Sequence, residues 1–305
     1  MKLLRVMFLG VRGLADATHD LVHPASGRAH SFVVVTGPAA SGKTRLLEAI
    51  LFAKNVIGSY GSPAGDPSGF VRGEDEAAKI ALTLDLSDEE RAFAGVEEAY
   101  PTVEALLRYD ALGKEAHEGV EVLFERYDHD PRHGKFEYFP ANRQLLPYGT
   151  PHGLDPIEQG LLRTGSDVRK YSFVPRLLAT LSEDAKRAAE FDGLLAELAP
   201  TLRRTPADPS TPWACLTSRG RAPVAPSSLS SAETDAVIFA ATAALTRLSH
   251  SIVLVDRPEL YVEPARVAAF VGALRALGTD NQLIVATNNA EVVSSVEPSQ
   301  LIRLS

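Results

Sequence analysis

The chain has 305 residues, 45% hydrophobic and 23% charged, and its 31 Lys plus Arg against 39 Asp plus Glu give a formal net charge of −8. This composition excludes an intrinsically disordered chain, and the single cysteine, Cys215, excludes an internal disulfide or a multi-thiolate zinc site and reads as a small buried hydrophobe. The acidic total argues against strong sequence-independent DNA affinity, leaving DNA contact to local patches such as Arg163, Arg169, Lys170 and Arg176, which read equally as a solvated helix face.

Lys2 and Arg5 precede an apolar stretch at 6–11 that Arg12 interrupts, so the N-terminus does not read as a secretory signal. The apolar run at 236–245 has about half the length of a membrane span, and a soluble, cytoplasmic protein is expected. Residues 3–9 predict a first strand, a loop follows, and 31–36 (SFVVVT) predict a buried strand leading into a helix at 44–53, where Leu46, Leu47, Ile50 and Leu51 stand at helical spacing. After a Gly, Pro and Ser-rich stretch at 61–75, residues 78–86 alternate as a half-exposed antiparallel strand does. A hairpin is expected over 124–130 and 135–139, with its turn at 131–134. Residues 151–200 read as mostly helical, most clearly 183–199, with Ser182 as N-cap and Pro200 as the stop; 203–212 is a polar connection. The last third predicts a strand at 213–217, a turn at Arg219 and Gly220, helices at 232–247 and 264–277, buried strands at 252–256 (IVLVD) and 282–287 (QLIVAT), and a short strand at 301–304. Buried strands alternating with helices predict an α/β fold with a mainly parallel central sheet, carrying an antiparallel β-rich subdomain at about 61–140 and a helical insertion at about 151–212 within one domain over 1–305.

Gly37-Pro38-Ala39-Ala40-Ser41-Gly42-Lys43-Thr44 fits G-x-x-x-x-G-K-[ST] between the predicted strand and helix, and Arg45 follows it. Such a P-loop turns successive backbone N–H groups around a phosphate, adds the positive end of a helix dipole, and supplies Lys43 for the β- and γ-phosphates of ATP and the Thr44 hydroxyl for Mg²⁺. Asp256 ends an apolar strand, where it can reach the same Mg²⁺. Tyr127-Asp128-His129-Asp130 with His133 offers metal-type side chains, but at a predicted turn, where Asp and His are common for turn reasons.

The segment 256–264 (DRPELYVEP) resembles the Asp-Glu-Pro-Glu-x-x-x-His-Pro Walker B and D-loop stretch of the ABC-type ATPase heads of the SMC, RecF and OLD group. Leu3 to Phe8 with Arg12 resembles the opening strand of these heads, and Leu229-Ser230-Ser231-Ala232-Glu233 resembles their Leu-Ser-x-Gly-Glu signature. Ala286-Thr287-Asn288-Asn289 stands where they have Thr-His-Ser, and 136–143 (FEYFPANR) is also similar to them. The resemblance implies a P-loop NTPase that sandwiches ATP between two heads, a homodimer or heterodimer in which Ser230, Ser231, Ala232 and Glu233 of one copy meet nucleotide on the P-loop of the other. Asn288 then takes the switch position, and Asp256 and Glu259 are the candidate catalytic carboxylates.

The sequence departs from that pattern where hydrolysis is concerned. Arg257 replaces the Glu that handles the attacking water, and an Arg, with a pKa above about 12, cannot serve as a general base. Asn288 replaces the switch His, and Ala232 replaces a signature Gly. Two readings stand side by side: a head with slow or defective hydrolysis acting with a nuclease or other effector in DNA repair or defence against foreign DNA, and a non-catalytic nucleotide-sensing scaffold. A P-loop kinase or GTPase explains neither 229–233 nor the Pro-Glu after Arg257.

Overall fold

In the computed structural model, which describes residues 1–61, 64–73, 75–146, 156–205, 215–218, 220 and 222–305, the chain opens on β1 (Lys2–Leu9), paired antiparallel with β2 (Ala17–Asp20). The apolar run that follows is β3 (Phe32–Thr36), buried at every position, and it leads into α1 (Lys43–Ile57). β4 (Ala77–Asp85), β5 (Thr102–Arg108) and β6 (Leu112–Glu115) complete an antiparallel sheet in the order β2-β1-β4-β5-β6, with α2 (Asp88–Ala94) between β4 and β5 and α3 (Glu118–Glu125) after β6. Next come β7 (Phe136–Phe139), the helices α4 (Pro156–Leu162), α5 (Val174–Thr180) and α6 (Ala185–Leu198), and a small antiparallel pair, β8 (Leu202–Arg204) and β9 (Leu216–Ser218). α7 (Ser231–Thr246), β10 (Ile252–Asp256), α8 (Val267–Leu274), β11 (Gln282–Ala286), α9 (Ala290–Ser294) and β12 (Leu301–Arg303) follow in turn.

A second sheet, parallel throughout, has the order β12-β3-β11-β10-β7. α1 lies between the two sheets: Leu46, Leu47 and Ile50 share one core with Val6, Phe8 and Ile80 of the antiparallel sheet and with Val33, Leu254 and Ile284 of the parallel one. Full burial of each such side chain contributes about 1.5–3 kcal/mol. The other face of the parallel sheet, with Val34, Val253, Val255 and Val285, packs beneath α5, α6, α7 and α8. The buried amide of Gln282 accepts from the Leu3 N–H at 2.7 Å and donates to the Leu3 carbonyl at 2.8 Å, tying the two sheets at one end. Buried polar groups finish the outer edge of β7, where the Tyr60 hydroxyl accepts from the Phe136 N–H at 2.7 Å and the Lys170 ammonium donates to the Tyr138 carbonyl.

Several expectations are corrected. No hairpin forms over 124–139: Val120, Leu123 and Phe124 stand at helical spacing and are buried on α3, whereas β7 pairs parallel with β10. The N-cap of α6 is Asp184, whose carboxylate accepts from Arg187 N–H at 3.0 Å, and Ser182 lies in the preceding 3₁₀ turn Leu181–Glu183. The helix expected at 264–277 is α-helical only over Val267–Leu274; it enters through the 3₁₀ turn Pro264–Arg266 and leaves through i→i+3 bonds from Ala276 and Leu277. The connection expected at 203–212 begins as β8. Of the strand expected at 213–217, Leu216 and Thr217 lie in β9, whereas Trp213, Ala214, Arg219, 151–155 and 206–212 lie outside the described residues. Arg163 and Lys170 are neither a phosphate-facing patch nor a solvated helix face: both are fully buried, Arg163 beside Glu137 at 3.4 Å and Lys170 donating to the Gly165 carbonyl at 2.9 Å.

Candidate functional site

The loop from β3 to α1 holds two glycines for steric reasons. A Cβ on Gly37 would stand 2.5 Å from the Leu304 carbonyl oxygen, and one on Gly42, at φ 92°, would stand 2.3 Å from that of Gly13. α1 begins at Lys43 without a side-chain cap, so its first amides are left to a ligand or to water. The Lys43 ammonium donates to the carbonyls of Gly37 at 2.9 Å and Pro38 at 2.6 Å, which holds it over the loop, and Ser41 Oγ is buried and has no hydrogen-bond partner among the described residues. Arg45 stacks on the Phe70 ring at 4.7 Å.

One strand, β11, stands between β3 and β10, and this spacing brings Thr44 at the start of α1 to Asp256 at the end of β10. Thr44 Oγ1 donates to Asp256 Oδ2 at 2.8 Å, while Asp256 Oδ1 is buried and has no hydrogen-bond partner among the described residues. Burial lifts the Asp256 carboxyl above the ordinary range, against the opposing effects of the Thr44 bond and of Arg143, Arg257 and Lys43. The chemistry is that of a phosphate cradle beside a hard-cation site: Lys43, the free amides and Ser41 can hold an anion, and Thr44 with Asp256 can hold a divalent cation.

Arg257 is exposed in the left-handed region at φ 49°, directly after Asp256. Asn288 is exposed two residues beyond the end of β11. Glu259 is half-buried, and among the described residues no hydrogen bond joins it to Thr44 or Asp256. Ser230 caps α7 in a reciprocal box with Glu233, whose carboxylate returns to Ser230 N–H at 3.0 Å, and Ser231 and Ala232 are exposed in the first turn. α1 and α7 pack on opposite faces of the parallel sheet; Thr44 meets Asp256, and the signature residues form the capped start of α7. A cavity of about 210 Å³ opens beside the start of α7, lined in part by Gln144, Ser227, Ser231, Thr234 and Tyr261.

Sequence reasoning assigned no role to Arg143, at the end of FEYFPANR. It is buried, pairs with Asp235 of α7 at 2.8 Å and donates to the Asp256 carbonyl at 2.8 Å. The available signal was an Arg just past a buried strand, too near the core to be solvated. The side chains around the turn at 131–134 bond one another: His133 Nδ1 lies 2.8 Å from Asp128 and Arg126 Nε 2.9 Å from it, and among the described residues no group of three or more His, Cys, Asp and Glu could hold a metal. Cys215 is buried, and burial raises its thiol pKa.

The fold is that of SMC-head and RecF ATPases, and within it a P-loop stands beside a carboxylate at a strand end. The chain belongs to the family described as "AAA domain, putative AbiEii toxin, Type IV TA system", which matches residues 32–294. The fold is similar to the SMC head domain with an extended coiled coil from Pyrococcus furiosus, solved bound to the C-terminal domain of ScpA, at 14% identity and TM-score 0.61 over 100% of this chain and 93% of that one. It is also similar to the SMC head domain from Thermotoga maritima, at 15% identity and TM-score 0.52 over 100% of this chain and 95% of that one. The recombination mediator protein RecF of the RecFOR pathway, solved as RecF-ATPrS, matches at 11% identity and TM-score 0.53 over 100% of this chain and 96% of that one. No curated protein matches the chain in sequence. Among the described residues no helix is long and apolar enough to cross a membrane.

Proposed function

We propose that this ATPase head binds Mg²⁺–ATP and uses it to fix an assembly with a second head, a like copy or a different chain, while turning the nucleotide over slowly. The observation that carries the reading is the 2.8 Å contact between Thr44 and Asp256, which sets a cation-type pair beside the P-loop. In that role Lys43, Ser41 and the first amides of α1 hold the phosphates, with Gly37, Pro38, Ala39, Ala40, Gly42 and Arg45 shaping the loop. Thr44 and Asp256 hold the metal, which when bound neutralises phosphate charge. Arg257 in place of a carboxylate, and Asn288 in place of a histidine, take the general base from the two positions nearest Asp256, and among the described residues no hydrogen bond aims Glu259 there. The placement of α7 across the sheet from α1 supports a composite site, in which Ser230 to Glu233 of one copy meet nucleotide on the other. The 1–305 chain then acts as one unit, with the β-rich part at 61–140 and the helical part at 151–212 as its subdomains. The family description names an AbiEii-type toxin of a type IV system, and two solved SMC heads are bound to ScpA, which favours work with a partner protein; in this reading the partner is an effector or nuclease in DNA repair or defence, in the cytoplasm.

The test is ATP binding and single-turnover hydrolysis on one purified sample, with and without duplex DNA, with Lys43→Ala as control and mass followed by light scattering. Lys43-dependent binding with ATP-induced dimerisation and negligible hydrolysis is the expected result. DNA-stimulated turnover would overturn the slow-hydrolysis reading, and undiminished binding in Lys43→Ala would overturn the site itself.

A further inference from the structure

The guanidinium of Arg143 is fully buried and uses all five of its N–H donors. Nε donates to Asp235 Oδ1 at 3.1 Å and Nη2 to Asp235 Oδ2 at 2.8 Å, a two-bond pairing with the second turn of α7. Nη1 donates to the Asp256 carbonyl at 2.8 Å and to the Pro140 carbonyl at 2.7 Å, and the remaining Nη2 donor reaches the Arg257 carbonyl at 3.1 Å. One planar group therefore fixes three pieces of backbone: the end of β7, the end of β10, and the start of α7. Its carbon lies 5.2 Å from the Phe239 ring, on the same helix.

The carbonyls it grips belong to the residues that matter at the site. Asp256 presents its carboxylate to Thr44, and the left-handed turn at Arg257 is held from both ends, by the Arg257 N–H on the Ala286 carbonyl at 2.9 Å and by Arg143 on the Arg257 carbonyl. A rigid, fully satisfied fork passes a shift at Asp256 to Asp235, because bending any one bond costs the desolvated charge its partner. Asp235 sits four residues after Ser231, so such a shift tilts the exposed N-terminus of α7.

We propose that Arg143 is a positioning residue that couples the P-loop and Asp256 pair on one face of the sheet to the N-terminus of α7 on the other. The proposal rests on the nucleotide reading above and adds how occupancy at Thr44 and Asp256 is reported across the sheet. Lysine keeps the charge but lacks the planar five-donor fork, so Arg143→Lys can hold Asp235 or the carbonyls and not both sets. Arg143→Met with Asp235→Leu removes the charge pair together and avoids an orphaned buried ion.

The test is hydrogen exchange at the amides of 230–236, with and without Mg²⁺–ATP, in the wild type, Arg143→Lys and the double variant, at a protein concentration where light scattering shows monomers, so that no second head covers these amides, with ATP affinity measured on the same samples. In the wild type, ATP is expected to slow these amides by about fivefold or more, the lower end of ordinary coupling between sites. In both variants the nucleotide is expected to bind in a Lys43-dependent way while the α7 amides no longer respond. A response equal to the wild type's in a variant that binds ATP would overturn the coupling and leave Arg143 a packing element. Absence of ATP binding by the wild type would instead overturn the nucleotide reading, and the coupling with it. If the double variant does not fold, Arg143→Lys alone decides, since it keeps a buried positive charge opposite Asp235.

Discussion

The Arg257 N–H donates to the Ala286 carbonyl at 2.9 Å, which pins the residue after Asp256 against the strand that ends just before Asn288. Asp256 and Ala286 are register partners, so Arg257 and Asn288, two of the three positions where this chain departs from the resembled pattern, stand at neighbouring strand ends. Replacing both should therefore restore a local arrangement and not two unrelated ones. Arg257→Glu with Asn288→His is expected to raise single-turnover ATP hydrolysis by about 10²-fold or more, the typical worth of a positioned base. Phosphate release from a folded double variant that matches the wild type would refute the assignment.

In the proposed nucleotide reading, Lys43 and Asp256 carry different parts of the same binding. Lys43→Ala removes a side-chain charge held over the loop and is expected to weaken ATP by about 10–100-fold, the cost of a charged hydrogen bond. Asp256→Asn keeps the shape and removes the carboxylate, so ATP affinity should lose most of its dependence on Mg²⁺. Titration of ATP with and without chelator, by calorimetry, separates the two effects. Equal Mg²⁺ dependence in wild type and Asp256→Asn would count against a metal at Thr44 and Asp256.

What the chain order alone reveals follows a physical division. The strands at 252–256 and 282–286 are legible because a parallel strand buried on both faces needs an unbroken apolar run, and IVLVD and QLIVA are such runs. β2, β5 and β6 are not, because β2 is four residues with two exposed, β6 is mostly exposed, and β5 carries Leu106 on its exposed face, which breaks the apolar alternation. α3 is hidden because Phe124 and the turn behind it suggest strand, while its stripe of Val120, Leu123 and Phe124 is short. At the site, the P-loop and Asp256 are legible because each is a contiguous motif whose strand and helix flank it. Arg143 is not, because its partners lie 92, 113 and 114 positions away, and only the folded chain brings them together. Lys170 and Arg163 look like surface cations for the same reason: their carbonyl and carboxylate partners are distant or buried.

Gly42 tests the loop geometry apart from its charges. At φ 92°, and with the Gly13 carbonyl oxygen 2.3 Å from where a Cβ would stand, Gly42→Ala meets both backbone strain and a backbone clash. A loss of about 1–3 kcal/mol of stability is expected, read as a lower thermal midpoint, together with weaker ATP binding. A variant as stable as the wild type would mean the loop relaxes freely.

His129 gives the protein a defined acid sensitivity. Burial, then the nearby charges of Lys135 and Arg163, push its pKa down to about 4, from the usual 6.5 of the unfolded chain. Between these values the unfolded state binds a proton that the folded state refuses, so stability is full above pH about 6.5 and falls as the pH drops from there to about 4. The ring is only partly covered and lies 3.3 Å from the Tyr127 hydroxyl, so its whole contribution is at most ~3 kcal/mol and less after solvent screening. His129→Gln keeps a polar group near Tyr127 and cannot take up that proton. Urea midpoints measured at pH 7, 5.5 and 4 should fall less steeply in His129→Gln than in the wild type, and parallel curves would show that other groups govern the acid limb.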